Sequence, residues 1–476
     1  MTAIIHRSKK KNVIGEATVG ELQASLRGDV VRPGDAAYDD ARALWNGSHD
    51  KRPALIIRCA GTADVVKAVE FVCSQDLPVA VRGGGHSIAG FSSVDDGVVI
   101  DLSAMRSVTV DPVHRRAVAQ GGATWLDVDH ETQAFGLAVP GGLVSNTGIG
   151  GFTLGGGIGW LLRRHGLTCD NLVSADVVTA DGRLVHASAD DNPDLFWAMR
   201  GGGGNFGVVT SFEYELHPVG PTVLAGLLFF PGESAREVVT GWRDLTKSMP
   251  DELTSLVNLT AAPPVPFLPE SVHGKLIAVV GAMYSGPLDG AEHAVASLRT
   301  LAEPIFDHMG AVPYVAMQQA LDPLWGAGAH NYFTSALLDD LSDAAIDEAL
   351  ARWRAKPTPQ SELHLHHAGG AMARVGESDT AFSHRSAGYI ANVIARSPDG
   401  AKFAKHVEWA RAARTALAGH GPDAMYVNFT GDAEPDKVRA SYPPATYARL
   451  VAVKQQYDPT NMFRLNQNIS PTPLTR

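Results

Sequence analysis

Two glycine-rich stretches constrain this chain more than any other feature of its sequence. Residues 82–87 read Arg-Gly-Gly-Gly-His-Ser, and further along the chain a belt over 148–159 is mostly glycine and is predicted to form no regular element. Glycine leaves backbone N–H groups unshielded and accepts positive φ, so such loops can wrap closely around a phosphate or an aromatic ring. His86 follows three glycines directly and is the only strong nucleophile of its loop. The pattern favours a ligand site; the alternative is a tight turn whose histidine bonds a neighbour.

The composition is that of a globular chain with more than one domain. At 476 residues the chain exceeds what one hydrophobic core usually supports. Its 49 glycines cluster at 83–85, 141–159 and 201–207, which indicates a site and not disorder. The net charge of −11 argues against nucleic acid or an anionic membrane as a partner.

The sequence carries no pattern typical of export or of a membrane span. A basic run over 7–11 has no apolar core behind it, which argues against a secretory signal. No apolar run approaches the ~20 residues of a membrane helix. The 3 cysteines are an odd number without framework spacing, which favours a reducing compartment. We therefore expect a cytoplasmic protein.

A third glycine run, over 202–207, matches the dinucleotide fingerprint G-x-G-x-x-G. The fingerprint works when a strand precedes it and a helix follows, so that the diphosphate meets the helix N-terminus. Here the pattern predicts a helix before the run and a strand over 208–215 after it. A nicotinamide-binding domain is therefore not expected.

A composition shift at Pro218 to Pro221 predicts a domain boundary. Beyond it, helices and strands alternate and predict an antiparallel sheet with helices on one face, suited to a substrate domain. The predicted helices cover 233–249, 288–303, 342–355 and 399–418. The predicted strands cover 224–230, 253–261, 275–284, 331–338, 361–368, 388–395 and 424–430.

At 82–87, 140–171, 201–209 and 457–469 the sequence resembles the flavoprotein oxidases of the vanillyl-alcohol oxidase superfamily, which have a PCMH-type FAD-binding domain. The likeness is closest to the berberine-bridge-enzyme-like branch, which includes hydroxynicotine oxidase. The resemblance implies an α+β fold in which the FAD-binding domain has two parts. These are residues 1–220 and a C-terminal return over 441–476, on either side of a substrate domain over 221–440.

The resemblance also implies that FAD is bonded covalently, through its 8α-methyl group, to His86. FAD supplies the redox chemistry in this family, while the protein supplies orientation, electrostatics and oxygen access. The residues that the resemblance places against FAD are Arg82, Gly83, Gly84, Gly85, His86, Ser87, Thr147, Gly148, Gly151, Gly156, Gly159, Asn171, Val208, Val209 and Asn468.

The chain departs from the family pattern at two positions. Many members form a second flavin link from a cysteine, but Val144 stands at that position, so we expect a single link. Cys169 lies further along, where a packed small hydrophobe is the plainer interpretation. The family's second tyrosine of Tyr-x-Asn-Tyr, a base in several members, is Phe429 here, with Tyr426 three residues before it.

The strand predicted over 361–368 carries the other candidate bases. Glu362, His364 and His366 alternate with leucines, so the polar side chains share one face. They point toward the flavin if the leucines pack under the helices; the alternative is a solvated sheet face. We predict that Tyr426, Glu362 or His366 is the catalytic base. We expect no metal site, because no carboxylate or cysteine cluster accompanies the histidines.

Three functions follow from the sequence. The leading one is a covalent-FAD oxidase that removes hydride from a small-molecule alcohol, amine or activated C–H and reduces O2 to H2O2. The second keeps the fold but acts as a dehydrogenase with another acceptor, or uses an oxygenated flavin. The third is a flavin-binding protein without catalysis.

Overall fold

The structure is a computed structural model that describes residues 15–472. The basic run over 7–11, and with it the expectation about an export signal, lies outside those residues. Within the described range, no helix combines the length and apolar character needed to cross a bilayer.

The elements alternate along the chain. The helices are α1 (Glu16–Ser25), α2 (Tyr38–Arg42), α3 (Thr62–Gln75), α4 (Trp125–Gln133), α5 (Ile149–Leu154), α6 (Leu162–His165), α7 (Pro193–Met199), α8 (Ala235–Thr246), α9 (Ala291–Arg299), α10 (Tyr314–Gln319), α11 (Asp343–Arg354), α12 (Ala371–Arg374), α13 (Phe403–Ala418), α14 (Pro435–Ala440) and α15 (Pro444–Tyr457). The strands are β1 (Asp29–Val31), β2 (Leu55–Arg58), β3 (Val79–Arg82), β4 (Val98–Asp101), β5 (Val108–Asp111), β6 (Arg116–Gln120), β7 (Leu137–Ala138), β8 (Leu172–Val178), β9 (Leu184–Ser188), β10 (Val208–Glu215), β11 (His217–Pro218), β12 (Thr222–Pro231), β13 (Leu253–Ala261), β14 (Leu276–Tyr284), β15 (Phe306–Asp307), β16 (Gly310–Pro313), β17 (His330–Leu338), β18 (Glu362–His367) and β19 (Tyr389–Ser397).

A four-stranded sheet, ordered β1-β2-β4-β3, delivers the chain into the first glycine loop. Strands β2, β4 and β3 are parallel, and α3 crosses between β2 and β3 with Val65, Val69 and Val72 buried. Strand β3 ends at Arg82, so the loop over 83–87 leaves the carboxyl end of a parallel strand. Ligand sites of parallel sheets form at this edge.

A second sheet, ordered β5-β6-β10-β8-β9, is antiparallel throughout. Strand β10 follows the glycine run over 202–207, and helix α7 precedes it. The predicted order of helix, glycine run and strand is therefore confirmed, and it is the reverse of a nicotinamide-binding turn.

The largest sheet has the order β15-β12-β14-β13-β18-β19-β17, with β16 beside β12, and all its pairs are antiparallel. Helices α8, α9, α11 and α13 share one apolar core with alternate residues of its strands. On β18 these are Leu363 and Leu365, and on β19 Ala391 and Val393. The predicted α+β fold, with helices on one face of an antiparallel sheet, is confirmed.

After the large sheet the chain returns to its first half. Helix α15 places Leu450, Val453 and Tyr457 in the apolar core that also holds residues of α4, α7 and β10. Ile469, beyond the helix, lies in the same core. The domain boundaries at 220 and 440 stay a prediction.

A buried ion pair holds the C-terminal segment against the first half of the chain. Breaking this pair is expected to destabilise the fold strongly. The fully buried Lys454 Nζ lies 2.7 Å from a carboxylate oxygen of Asp458 and donates to the carbonyls of Asn205 and Phe463. Lys454→Met leaves the Asp458 charge buried without its partner, which costs about 3–5 kcal/mol in the free energy of unfolding. Urea denaturation measures the loss.

Lys67→Met is the matched control for this prediction. Lys67 pairs with Glu70 at the surface, where both side chains are about half exposed. A surface pair contributes about 0–1 kcal/mol. An equal loss in the free energy of unfolding in Lys454→Met and Lys67→Met would contradict a stabilising role of the buried pair.

Two predictions of local structure are wrong. The strand predicted over 424–430 is a loop with a 3₁₀ turn at Val427–Phe429, because Tyr426 and Asn428 bond to the glycine belt instead of a strand. The belt itself, expected to be irregular, contains helix α5. That helix buries Ile149 and Leu154, and this burial outweighs the low helix propensity of its glycines.

Candidate active site

One cleft joins the first glycine loop to the face of the large sheet opposite helices α8, α9, α11 and α13. It encloses about 1920 Å³, part of which is open to solvent. Among the described residues that line it, none is Asp, Glu, Lys or Arg, and the titratable side chains are His86, His364 and His366. Its walls come from the loop over 83–88, the segment over 142–154 that includes the first part of the glycine belt, and the turn over 203–209. Strands β17 to β19 and the C-terminal segment over 463–467 complete them.

The first glycine loop presents free backbone donors. The N–H groups of Gly84, Gly85, His86 and Ser87 have no acceptor among residues 15–472, and Gly85 has φ of +72°. Successive free N–H groups in a turn form a concave anion site. The loop therefore fits a diphosphate in the mostly apolar cleft.

The two glycine stretches touch backbone to backbone. A Cβ atom on Gly84 would lie 2.5 Å from both N and Cα of Gly148, and those atoms belong to a rigid backbone. Any side chain at either position would push the stretches apart. This is the physical reason for glycine at these two positions, and it brings both stretches to one wall of the cleft.

His86 lies in the cleft with its ring held against an aromatic side chain. The ring of Trp45 stacks on the imidazole with centroids 4.9 Å apart and an interplanar angle of 19°. Burial lowers the pKa of His86 to about 4, although the neighbouring Asn146 amide acts to raise it. The imidazole is therefore neutral near pH 7 and keeps a nucleophilic lone pair.

Most of the residues predicted to contact FAD line this cleft. They are Gly83, Gly84, Gly85, His86, Ser87, Thr147, Gly148, Gly151 and Val209. The other predicted contacts lie outside the lining. They are Arg82, Gly156, Gly159, Asn171, Val208 and Asn468.

Two of these outer residues hold the walls through hydrogen bonds. The Arg82 guanidinium donates to the carbonyl of Ala41, behind the first glycine loop. The Asn171 amide donates to the carbonyls of His165 and Leu167 and so ties the end of α6 to the turn that follows.

The remaining outer residues act through close packing or lie beside a lining residue. A Cβ on Gly156 would meet the ring of Phe382 at 2.7 Å, and Val208 is fully buried in strand β10. Gly159 packs against the Gly141 carbonyl. In the C-terminal segment, Asn466 and Gln467 line the cleft and Asn468 does not.

The opposite wall carries a histidine–carboxylate pair. His364 lines the cleft, and its Nε2 donates to Glu362 at 2.7 Å. Glu362 stands behind it, outside the lining, and also accepts from Asn258 and Thr260. Burial acts to raise the pKa of Glu362, but the His364 and Asn258 hydrogen bonds and the nearby Lys356 charge hold it below its usual value. Glu362 is therefore an anion that orients His364.

His366 shares this wall but has no such partner. It lines the cleft, and its Nε2 is buried without a hydrogen-bond partner among residues 15–472. Burial and the nearby His364 lower its pKa to about 3. Asn392 also lines the wall, and its buried Oδ1 has no hydrogen-bond partner in the described part of the chain. Trp325 and Phe333 supply aromatic surface. The wall thus combines flat apolar surface with a few free polar atoms.

Tyr426 lies behind the glycine belt and outside the cleft lining. Its hydroxyl accepts from the Gly157 N–H at 2.8 Å and from the Asn428 amide at 2.9 Å. Burial raises its pKa above the usual value for tyrosine. Its ring meets Phe429 edge-on at 4.9 Å, although the predicted strand would have turned the two apart.

Replacing Tyr426 is therefore expected to change stability more than catalysis. Tyr426→Phe leaves the buried Gly157 N–H without its acceptor and removes one of the two hydrogen bonds of the part-buried Asn428 amide. We expect a cost of about 1–3 kcal/mol in the free energy of unfolding. Urea denaturation measures this cost, and stopped-flow reduction of the flavin measures the catalytic effect. A large loss of reduction rate with unchanged stability would contradict this placement.

Val144 and Cys169 are the two positions considered for a second covalent link to the flavin. Val144 lines the cleft and carries no sulfur. Cys169 is fully buried outside the lining, where burial and the adjacent Asp170 hold its pKa well above the usual thiol value. Cys169 is therefore a protonated, packed thiol.

Sequence reasoning did not single out several cleft residues. Trp45 and Trp325 lie in loops without a motif, and only the folded chain brings them to His86 and the sheet. His364 did carry a signal, since it alternates with the two leucines that pack under the helices.

Comparisons with known proteins agree with this geometry. A family model described as an FAD binding domain matches residues 53–188, and one described as berberine and berberine like matches residues 425–470. The chain is 32% identical over 456 residues to (R)-6-hydroxynicotine oxidase of Paenarthrobacter nicotinovorans, which covers 94% of this chain and 97% of that enzyme. It is also 32% identical over 462 residues to an FAD-linked oxidoreductase of Dictyostelium discoideum, with 95% and 97% covered.

Solved structures show the same fold. The crystal structure of 6-hydroxy-D-nicotine oxidase from Arthrobacter nicotinovorans superposes with a TM-score of 0.85 at 31% identity, covering 94% of this chain and 99% of that one. A berberine-bridge-enzyme-like protein of Physcomitrella patens reaches the same TM-score at 20% identity, covering 96% and 99%, which shows the fold alone. Since relatives above 30% identity match almost end to end, the chain is an enzyme that belongs to the berberine-bridge-enzyme-like family of FAD-linked oxidoreductases.

Proposed function

We propose that this enzyme is an oxidase that holds FAD covalently through His86 and oxidises a small-molecule alcohol, amine or activated C–H compound with O2. The observation that carries the proposal is the single cleft that runs from the His86 loop to the polar face of β18 and β19. A cofactor held by the loop and a substrate held by the sheet would share one space.

The chain's own groups fit the cofactor in three ways. The free N–H groups of the loop over 84–87 suit the diphosphate, and the apolar walls suit the flavin ring. The C-terminal segment over 463–467 closes one side. Bound FAD supplies a two-electron acceptor for the substrate hydride and passes the electrons on to O2, giving H2O2.

His86 is suited to covalent attachment because it is neutral near pH 7 and lies in the cleft. Two further features support one link and not two. Val144 stands where a second attachment would need sulfur, and Cys169 is buried outside the lining. A single covalent bond would raise the flavin potential and prevent loss of the cofactor.

The proton of the substrate O–H or N–H would go to His364. Its Nε2 is engaged by Glu362, which leaves Nδ1 as the acceptor, and Nδ1 has no hydrogen-bond partner among residues 15–472. The Glu362 charge stabilises the imidazolium that forms. His366 lacks a carboxylate and is hard to protonate in its buried place, so it would orient the substrate by hydrogen bonding.

The cleft favours a substrate without net charge when it reacts. No ionised acid or base among the described residues lines it, and Trp325, Phe333 and Phe429 offer flat apolar surface. One relative is named for hydroxynicotine, so ring amines belong with hydroxylated aromatics and sugars in a substrate panel.

The test is oxygen consumption by the holoenzyme with this panel, combined with anaerobic flavin spectra. The proposal predicts bleaching of the flavin by at least one compound, and equal amounts of O2 consumed and H2O2 formed. Bleaching that persists in air would overturn the oxidase assignment in favour of another acceptor. A flavin that no compound bleaches would favour a binding protein.

A further inference from the structure

Trp45 is the aromatic residue that stacks on His86, and its place is set by other contacts. Its indole Nε1 donates to the Trp325 carbonyl at 2.9 Å, and its backbone N–H donates to the Gly85 carbonyl at 3.3 Å. The indole also lies beside the Trp325 ring, with centroids 6.4 Å apart. Trp45 is therefore fixed from both sides of the cleft.

The neighbouring Asn46 makes this segment a rigid support. Its fully buried side chain donates to the carbonyls of Ile88 and Asn331, both at 2.8 Å, and accepts from the Asn331 N–H at 2.9 Å. Residues 45 and 46 thus join the His86 loop to strand β17. The support does not depend on His86 itself.

Attachment of the flavin needs an imidazole nitrogen aimed at the 8α carbon. The reaction forms one N–C bond and releases two protons, one from the methyl carbon and one from the imidazole N–H. Two electrons remain on the flavin ring, and O2 removes them as H2O2. Among the described residues, Asn146 hydrogen-bonds the imidazole, and Trp45 is the side chain whose ring stacks on its plane.

We propose that Trp45 positions His86 for covalent flavin attachment by holding the imidazole plane in the stack. This inference rests on the proposed attachment through His86 and adds a positioning residue to it. Loss of the stack lets the ring rotate away from its productive orientation. Small misplacements of reacting groups slow reactions by about 10- to 100-fold.

The test follows attachment over time and not turnover. Each full-length variant is made by cell-free translation at limiting FAD, FAD is then added in air, and samples are quenched in acid at intervals. Flavin fluorescence of the denatured protein band reports the attached fraction, and absorbance of the native protein reports total bound FAD. Trp45→Phe keeps a stacking ring, whereas Trp45→Leu and Trp45→Met remove it. Phe267→Leu is the control, because it removes an aromatic ring that stacks on Phe306 outside the cleft lining.

We expect Trp45→Leu and Trp45→Met to bind FAD but attach it at least about tenfold more slowly. Trp45→Phe and Phe267→Leu should attach it at nearly the parent rate. Attachment at the parent rate in Trp45→Leu would overturn the inference, and so would equal slowing in Trp45→Phe. Failure of both ring-removing variants to bind FAD would also count against it, since Trp45 would then act in folding. If the parent carried no covalent flavin, or if His86→Ala still carried one, the proposed attachment at His86 would be wrong. That result is distinct from parent-rate attachment in Trp45→Leu, which would overturn only the role of Trp45.

Discussion

His86→Ala is expected to abolish the covalent flavin while leaving FAD bound. No cysteine or tyrosine among the described residues lines the cleft, and the other histidines that line it stand on the opposite wall. The free N–H groups of the loop belong to the backbone and remain in the variant. Flavin fluorescence of the denatured protein band should therefore fall to background, while the native variant stays yellow.

His114→Ala is the control for this result. His114 is an exposed histidine that bonds Asp111 beside the turn between β5 and β6, and it is not part of the cleft lining. Its band should fluoresce like the parent. A His86→Ala band as bright as the parent would refute attachment at this residue.

His364→Gln is expected to slow reduction of the flavin by about 10²- to 10⁴-fold, the usual contribution of a positioned general base. Glutamine keeps polar atoms on the sheet face but cannot take the substrate proton. Glu362→Gln should slow reduction less, by about tenfold, since it removes the charge that stabilises the imidazolium but leaves a hydrogen-bond partner for His364. Anaerobic stopped-flow with a compound that bleaches the parent flavin measures each rate.

His366→Gln is the matched control because it alters the next histidine on the same face of β18. We expect a mainly weaker apparent affinity for the substrate with little change in the limiting reduction rate. A larger loss of limiting rate in His366→Gln than in His364→Gln would reverse the two roles. Added imidazole should partly restore reduction in His364→Ala and not in His366→Ala.

The features of the site that sequence could predict are those whose chemistry is local. Three glycines before His86 leave their N–H groups unshielded by side chains, and the alternation of leucines with His364 and His366 fixes the face on which each lies. The helices over 235–246 and 343–354 follow from apolar periodicity, and Ser342 caps the second by accepting from the Ala345 N–H.

Other features depend on packing between distant segments. Trp45 meets His86 only in the folded chain, where the neighbouring Asn46 bonds both Ile88 in the loop after His86 and Asn331 in strand β17. Tyr426 lies in a segment with the apolar pattern of a strand, yet its hydroxyl goes to the glycine belt and the backbone turns there. The partners of such residues are set by the assembled fold, and local periodicity contains no information about them.

Mass spectrometry of flavin-bearing proteolytic peptides tests the central claim most directly. The holoenzyme is digested under denaturing conditions, peptides that absorb in the visible range are collected, and the modified residue is located by fragmentation. The account predicts one flavin peptide, with the added mass on His86. A flavin on Cys169, on a second residue, or on no peptide at all would contradict it.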